Sequence, residues 1–321
     1  MGVFTQLDHV ALAEIAAAFE LGALQRGRAI AAGTVNTNIE LVTDRGHWFL
    51  RVNEGKTEED VAWEARLVAA LAERGVATPA PLVARDGRPY AAHAGKWVSA
   101  FPWRAGHHVD AAEVTPPLAE ALGAQLAQLH LAGLSLPEAW RRPSIYDHAH
   151  LVERYAGFHA SRDPELARAI EVLGEELDAA SAAAAIRGRA TTGIIHGDLF
   201  RDNVLWADGR IAALLDFEQA SGGSLAYDLA VCINDWCWTG GPRADLYAAL
   251  LAGYRRVREL APGDREALPV ELRAAAARFT ITRITDVYLA GVDNPEKDFR
   301  AFLARCDAWR GPSLGELTSL L

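Results

Sequence analysis

The densest group of residues able to do chemistry lies in one short stretch, Ile194 to Gln219, with the sequence IIHGDLFRDNVLWADGRIAALLDFEQ. It contains His196, Asp198, Asn203 and Asp216. Carboxylate and amide oxygens are ligands that a hard cation such as Mg²⁺ takes in proteins, and a carboxylate on a loop can accept the proton of a hydroxyl group. The stretch therefore predicts metal-assisted chemistry at a hydroxyl group.

A β-hairpin is predicted inside this stretch. Two apolar runs flank the pair Asp208-Gly209, which favours a tight turn between two strands. A turn centred on that pair brings Asn203 and Asp216 toward the same open end, and neighbouring strands lie about 4.8 Å apart. We therefore expect Asn203 and Asp216 to share one Mg²⁺ ion, with Asp198 on the preceding loop as the proton acceptor.

The order of these residues is that of the protein-kinase catalytic loop, H-x-D-x-x-x-x-N, followed by a strand that ends in Asp-Phe. In such a loop the histidine is a brace, so we assign His196 a structural role. Glu218 is either a carboxylate close to the metal or a solvated side chain. Asp198 could be a simple capping residue, but that interpretation leaves the downstream Asn203 and Asp216 unexplained.

A nucleotide-binding loop is predicted near the N-terminus, between the first two predicted strands. The segment 33–38 contains Gly33, Asn36 and Asn38, and its backbone amides could cover phosphate groups. A single glycine in a turn rich in Asn and Thr is also what an ordinary hairpin connection contains. The loop is therefore assigned to ATP only together with the catalytic stretch.

A buried ion pair is predicted between the third strand and the helix that follows it. Arg51 lies on the strand where protein kinases carry a phosphate-binding lysine, and a guanidinium can also hold phosphate through two hydrogen bonds. Glu64 shares one helix face with Leu67 and Leu71, and an acid on an inward face needs a partner. We expect Arg51 to be that partner, although Glu64 at the edge of the face could stay solvated.

The pattern of apolar and turn residues predicts an α+β fold, with an antiparallel sheet and one main helix in a small N-terminal lobe and a larger, mostly helical C-terminal lobe. The lobes are assigned to residues 1–98 and 107–321, joined by a hinge at 99–106. In the first lobe we predict helices at 8–20 and 57–74 and strands at 28–32, 38–43, 48–52, 90–92 and 96–101. In the second we predict helices at 112–134, 147–159, 164–184, 243–260 and 271–290, with strong strand signals only between Ile194 and Phe217.

Charge and composition narrow the range of partners. The chain has 321 residues with 42 acidic and 32 basic side chains, a net charge of −10, which disfavours nucleic acid and anionic membrane surfaces. It has no long apolar stretch and no basic start typical of a secretory peptide. Three cysteines do not make a disulfide framework, so we expect reduced, buried thiols. These features predict a cytoplasmic protein with small-molecule partners, and they give no indication of an oligomeric state.

The chain resembles the superfamily of aminoglycoside phosphotransferases and choline kinases, which share the protein-kinase fold. The loop His196 to Asn203 and the triplet Leu215-Asp216-Phe217 are typical of that superfamily. Within it, the segment Ala226 to Cys237, AYDLAVCINDWC, is similar to a segment of the homoserine kinases of this fold. Val3-Phe4-Thr5 and the stretch Arg278 to Asp286 also resemble that family, whereas Arg51 departs from the lysine of protein kinases.

The resemblance implies a bilobal protein-kinase-like fold and transfer of the ATP γ-phosphoryl group, with Mg²⁺, to the hydroxyl of L-homoserine. The product would be O-phospho-L-homoserine, on the route to threonine. A free amino acid requires partners for both of its charged groups. On charge alone, Asp235 is the predicted partner of the ammonium, and Arg201 or Arg283 that of the carboxylate. Asp228 in the same segment is interpreted as a structural brace.

Three other functions remain open at this point. Another kinase of the superfamily would act on choline, methylthioribose or an aminoglycoside. A metal-dependent phosphoesterase could use His196 and Asp198 as ligands, but such enzymes need further histidine-containing loops that the chain lacks. A nucleotide-binding module without activity is disfavoured by the complete set of Asp198, Asn203 and Asp216.

Overall fold

The computed structural model describes residues 4–30 and 35–321. The chain forms two structural units, one made of residues 1–107 and 212–218 and the other of residues 108–211 and 219–321. The segment 212–218, which carries Asp216, thus belongs to the same unit as the N-terminal residues. The predicted division into residues 1–98, a hinge at 99–106 and residues 107–321 stays a prediction.

The first unit contains a five-stranded antiparallel sheet of order β1-β2-β3-β5-β4. Apolar side chains of the sheet pack with those of the first helix into one core, in which Leu12, Ile15, Leu41 and Leu50 are buried. The elements of this unit are α1 (His9–Ala18), β1 (Leu24–Ala29), β2 (Thr37–Thr43), β3 (Gly46–Asn53), α2 (Glu58–Glu73), β4 (Ala91–His93) and β5 (Lys96–Pro102).

Strand β1 corrects the prediction for residues 28–32. It begins four residues earlier, at Leu24, and its pairing with β2 reaches Ala29 opposite Ile39. Most of its side chains are exposed, so it lacks the alternation of apolar and polar residues on which the prediction depended. The other strands of the sheet and both helices agree with the predicted ranges within a few residues.

Helix α2 owes its position to local signals. The Thr57 hydroxyl accepts a hydrogen bond from the Asp60 backbone N–H, and the Asp60 carboxylate accepts one from the Thr57 N–H, which together form a capping box. The helix stops before Gly75, whose φ of +83° only glycine adopts without strain. These two ends place Glu64 on the face that packs inward.

The second unit is mostly helical. Strands β6 and β9 pair antiparallel, and β7 and β8 form a two-stranded sheet. Its helices are α3 (Pro116–Leu134), α4 (His148–Ala156), α5 (Ala167–Ala182), α6 (Ala184–Arg187), α7 (Leu225–Trp236), α8 (Ala244–Val257), α9 (Pro262–Arg283), α10 (Arg300–Trp309) and α11 (Pro312–Thr318). The strands are β6 (Thr192–Ile195), β7 (Val204–Ala207), β8 (Arg210–Leu214) and β9 (Ser221–Ser224), of which β8 ends in the first unit.

Two predicted boundaries in this unit are wrong. Helix α9 begins at Pro262 instead of near residue 271, and it continues through an internal proline, Pro269, although a proline usually marks a helix boundary. Strand β9 lies beyond the predicted strand region because its sequence, SGGS, has no apolar or β-branched residue. Directly after α9 the chain forms a π-helical turn, Ile284–Tyr288.

The three cysteines are free and buried, as predicted. In the described part of the chain, no helix is both long and apolar enough to cross a bilayer.

Candidate active site

The predicted catalytic loop follows β6, and its backbone is fixed by one buried carboxylate. Asp228 on α7 accepts hydrogen bonds from the backbone N–H groups of His196 and Gly197, both at 2.8 Å. Gly197 has a φ of +77°, and a Cβ atom there would lie 3.1 Å from the carbonyl oxygen of Gln219. A side chain at position 197 would therefore disturb the loop that leads to Asp198.

Asp228 is itself held by a histidine. Its carboxylate lies 3.0 Å from Nε2 of His130, and both side chains are fully buried. Burial opposes the charged form, but the hydrogen bond and charge of His130 hold the pKa of Asp228 below its usual range. The predicted role of Asp228 as a brace is confirmed.

Asp198 differs from these bracing residues because its side chain is about 30% exposed. Its backbone carbonyl accepts a hydrogen bond of 2.8 Å from Nδ2 of Asn203, which ends a short 3₁₀ helix. With the nitrogen of Asn203 used in this bond, its amide oxygen is the atom left to bind a cation. Arg278 lies beside the Asp198 carboxylate, with 3.7 Å between Nη1 and Oδ1.

Asp235 and Arg201 form an ion pair with each other. Asp235 was predicted to contact the ammonium of the substrate, and Arg201 its carboxylate. The Asp235 carboxylate accepts from the backbone N–H of Arg201 at 2.9 Å, from its Nε at 3.0 Å and from its Nη2 at 3.2 Å. Asp235 is buried near the end of α7, so the pair attaches this helix to the catalytic loop. The predicted substrate contacts of Asp235 and Arg201 stay predictions.

Arg283, the other arginine proposed for the substrate, lies at the end of α9. Its Nη1 donates to the carbonyl oxygen of Asp298 at 3.1 Å, and its guanidinium lies 4.4 Å from the ring centre of Phe302. Burial lowers the pKa of Arg283, although the carboxylates of Asp235 and Asp198 oppose this.

The hairpin that carries the predicted metal ligands has the predicted turn. Asp208 and Gly209 have φ angles of +48° and +70°, and positive φ at both central residues is the mark of a type I′ turn. Asp216, just after β8, also has a positive φ, +60°. Such a backbone conformation at a residue other than glycine is strained and is concentrated at functional sites.

Asp216 belongs to a group of five charged side chains in the first unit. Arg51 on β3 forms the predicted ion pair with Glu64 on α2, with both side chains buried. Burial alone would lower the pKa of Arg51, but Glu64 and Asp216 raise it. Burial likewise opposes the ionised form of Glu64, yet Arg51 and Lys56 hold the pKa of Glu64 below its usual range.

The remaining contacts of this group reach the residues that follow β8. Nη1 of Arg51 lies 3.4 Å from Oδ1 of Asp216, whose side chain is 40% exposed. Lys56 bridges two acids, with its Nζ 3.3 Å from Glu64 and 2.9 Å from Glu218. Glu218 is therefore not a solvated side chain. The three carboxylates of the group, Asp216 included, and its two cations leave one excess negative charge.

The predicted nucleotide loop is only partly covered by the structure. Gly33 lies outside the described residues. Asn36 is buried, donates to Glu218 at 2.9 Å and accepts from the backbone N–H of Glu54 at 3.2 Å. Asn38 lies in β2 directly opposite Arg51 in β3. Both asparagines are thus close in the fold to the charged group.

Two residues of these clusters were missed by the sequence analysis. Lys56 lies in the short connection between β3 and α2, where no periodic pattern indicates a side-chain direction. Arg278 was noted only as part of a family-like segment, and a signal was present because it lies among apolar residues on α9. A cation at a buried position of a helix needs an anionic partner.

Sequence similarity to known proteins extends over most of the chain. The model of a phosphotransferase enzyme family matches residues 26–260, a range that includes the charged group around Asp216, the catalytic loop and Asp235. The chain belongs to this phosphotransferase enzyme family. A homoserine kinase of Gluconacetobacter diazotrophicus is 34% identical over 299 residues, covering 89% of each chain. One of Rhizobium meliloti is 32% identical over 298 residues, covering 89% of this phosphotransferase and 87% of the relative.

Solved structures agree at the level of the fold. An amicoumacin kinase, 16% identical, has a TM-score of 0.73 and covers 97% of this phosphotransferase and 94% of its own chain. A spectinomycin phosphotransferase, 15% identical, has a TM-score of 0.69, with 99% and 100% of the two chains covered. The predicted α+β, protein-kinase-like fold is confirmed.

Proposed function

We propose that this phosphotransferase transfers the γ-phosphoryl group of ATP to the side-chain hydroxyl of L-homoserine, which yields O-phospho-L-homoserine for threonine synthesis. The observation that carries the proposal is the partly exposed Asp198 carboxylate on a braced loop, in a chain similar to homoserine kinases over 89% of its length. A free amino acid as acceptor and a net charge of −10 favour a cytoplasmic enzyme.

Asp198 has the central chemical role in this proposal. Its carboxylate orients the homoserine hydroxyl and accepts its proton as the oxygen bonds to the γ-phosphorus atom. The bond between that phosphorus and the β,γ-bridging oxygen breaks, and ADP leaves with the electron pair. Because phosphoryl transfer passes through a loose transition state, most of the catalysis comes from positioning and charge neutralisation.

The charged group of the first unit is proposed to bind the nucleotide. Arg51 is held by Glu64, so its guanidinium is oriented before a phosphate arrives. Gly33, Asn36 and Asn38 are the other residues we assign to ATP. Asn36 would act through Glu218, since its amide donates to that carboxylate.

Asp216 and Asn203 are the proposed metal ligands, and Mg²⁺ is the ion that fits them. The exposed Asp216 carboxylate lies in a group with excess negative charge, and the amide oxygen of Asn203 is the atom not used in holding the loop. Oxygen ligands of this kind suit a hard divalent cation, which would neutralise phosphate charge when bound.

Product analysis tests the proposal. Purified protein incubated with ATP, Mg²⁺ and L-homoserine should produce ADP and one phosphomonoester in equal amounts. The reaction is monitored by ³¹P NMR, and the phosphomonoester signal is compared with that of authentic O-phospho-L-homoserine. ADP with free phosphate and no phosphomonoester would show an ATPase without this acceptor, and the proposal would be wrong.

A further inference from the structure

Arg278 is a buried cation without a full set of partners. Its residue is 4% exposed, on the part of α9 that faces the catalytic loop, and Nη1 lies 3.7 Å from the Asp198 carboxylate, beyond hydrogen-bond distance. Nε is buried, and no acceptor among the described residues lies within reach of it. A guanidinium removed from water is costly unless an anion pairs with it.

Aromatic rings hold the plane of this guanidinium. Its central carbon lies 4.1 Å from the ring centre of Tyr146 and 3.7 Å from that of Phe279. Contacts of this kind stabilise a cation but do not satisfy its N–H groups, which point outward from the edge of the plane. The edge of Arg278 is therefore suited to a planar oxyanion that accepts two parallel hydrogen bonds.

The Tyr146 ring contacts a second arginine, Arg154, which is itself held by hydrogen bonds. Arg154 on α4 lies 5.5 Å from the Tyr146 ring centre, and its Nη1 donates to Thr285 at 2.7 Å and to Asp286 at 2.5 Å. Thr285 and Asp286 belong to the π-helical turn after α9, and such turns occur frequently at functional sites. The second unit thus orients Arg278 before any ligand is present.

We propose that Arg278 binds the carboxylate of the amino-acid acceptor, an inference that rests on the proposed function. Asp198 would accept the hydroxyl proton, and Arg278 beside it would hold the other end of the same small molecule. In homoserine three carbon atoms separate the hydroxyl oxygen from the carboxylate carbon, a span of about 5 Å at most with bonds of about 1.5 Å. A donor 3.7 Å from the proton acceptor fits a hydroxy acid of this size.

An oxyanion next to Asp198 could also be the phosphoryl group in transfer. The two sources differ in one respect, because only the first depends on a carboxylate in the acceptor. Acceptor analogues therefore separate them. 3-Aminopropan-1-ol is homoserine without its carboxylate, and 4-hydroxybutyrate is homoserine without its ammonium.

The test compares kcat/KM of the wild type and of Arg278→Gln for homoserine and both analogues, with inhibition constants against homoserine for any analogue that reacts too slowly. Loss of a charge-assisted hydrogen bond pair should lower the use of homoserine and of 4-hydroxybutyrate on the order of 10- to 100-fold. The use of 3-aminopropan-1-ol should change less than about threefold. Arg278→Lys keeps the positive charge but cannot form the paired hydrogen bonds. Its kcat/KM for homoserine should therefore lie between those of the wild type and Arg278→Gln.

Arg273→Gln is the matched control. Arg273 lies on the same helix and pairs with the buried Glu176 through two hydrogen bonds of 2.8 and 3.0 Å, so this variant tests a partly buried arginine with a satisfied carboxylate partner. In this variant the ratio of kcat/KM for homoserine to kcat/KM for 3-aminopropan-1-ol should equal that of the wild type. An equal loss with all three acceptors in Arg278→Gln and Arg278→Lys, or no loss at all, would overturn the proposal. A wild type that does not use homoserine would instead refute the proposed function, before any variant is made.

Discussion

The acids in and around the catalytic loop differ in whether they hold the loop backbone or are partly exposed to solvent. Asp228 and Asp235 are buried acids whose hydrogen bonds go to backbone and side-chain donors of the loop, whereas Asp198 is about 30% exposed. A buried carboxylate cannot contact a substrate hydroxyl, whereas a partly exposed one can. Asp198 is therefore the acid on which we expect turnover to depend.

Replacing Asp198 with Asn should lower kcat by a factor of roughly 10² or more, since the amide cannot accept the proton. The fold and the affinity for ATP should be retained, as measured by circular dichroism and by nucleotide titration. Asp208→Asn, in the exposed turn between β7 and β8, is the control and should behave as wild type. Turnover close to wild type in Asp198→Asn would remove this residue from the mechanism.

The metal ligands call for a titration. Asp216→Ala should abolish activity at all Mg²⁺ concentrations, because the variant lacks the only carboxylate proposed to bind the ion. Asn203→Ala should remain active but require more Mg²⁺, since a neutral ligand contributes less to binding a divalent cation. Unchanged Mg²⁺ dependence in both variants would mean that the ion binds elsewhere.

At the scale of elements, ion pairs attach helices to the strands and loops that carry the site. The Arg51–Glu64 pair joins β3 to α2, and the Arg201–Asp235 pair joins the catalytic loop to α7. Breaking a buried pair by removing one partner leaves an uncompensated charge, which is strongly destabilising. Variants of these pairs should therefore affect stability as well as activity.

Glu64→Gln should lower the free energy of unfolding at neutral pH by about 3 kcal/mol, toward the lower end for a broken buried pair because Asp216 still faces Arg51. The folded-state pKa of Glu64 lies below its usual value of 4.5, so its stabilising contribution is complete above that pH and is lost as the pH falls through the folded pKa. Denaturant titrations should thus show a constant difference between wild type and variant from about pH 6 to 8, and a smaller one below about pH 4.5.

Glu59→Gln, on the exposed face of the same helix, is the control for Glu64 and should change stability by less than about 0.5 kcal/mol. A difference between wild type and Glu64→Gln that grows as the pH falls would contradict the assigned direction of the pKa shift.

Asp235→Ala separates a brace from a substrate contact. Because Asp235 accepts three hydrogen bonds from Arg201, its removal should cost about 2 kcal/mol of stability and weaken the use of ATP and homoserine together. Asp245→Ala, which removes an exposed pair with Arg243, should cost less than about 1 kcal/mol. A stable Asp235→Ala variant with a defect for homoserine alone would instead support the predicted contact with the ammonium group.

What the sequence could predict depended on how local the determining contacts are. The Asp208-Gly209 turn and the Thr57 cap follow from neighbouring residues, and the Arg51–Glu64 pair could be predicted because an acid on an apolar helix face needs a cation. The Arg201–Asp235 pair joins residues 34 positions apart. Over that separation, charge alone does not show which acid an arginine will pair with. The start of β1 was missed for a different reason, since its exposed side chains carry no alternating pattern.

At the scale of the whole molecule, the similarity to known enzymes extends through both structural units. The family match covers residues 26–260, and homoserine kinases align with 89% of the chain. The amicoumacin kinase and the spectinomycin phosphotransferase share the fold at 16% and 15% identity, so the fold alone does not select the acceptor. The choice of homoserine depends on the closer sequence relatives and on the residues around Asp198.

A panel of acceptors therefore tests directly whether L-homoserine is the preferred substrate. ADP release is measured with homoserine, serine, threonine, choline, methylthioribose and kanamycin under the same concentrations of ATP and Mg²⁺. We expect kcat/KM to be highest for L-homoserine. Serine, with its hydroxyl one carbon closer to the carboxylate, should be used at least about tenfold less well. A higher kcat/KM for choline, methylthioribose or kanamycin than for homoserine would contradict this expectation.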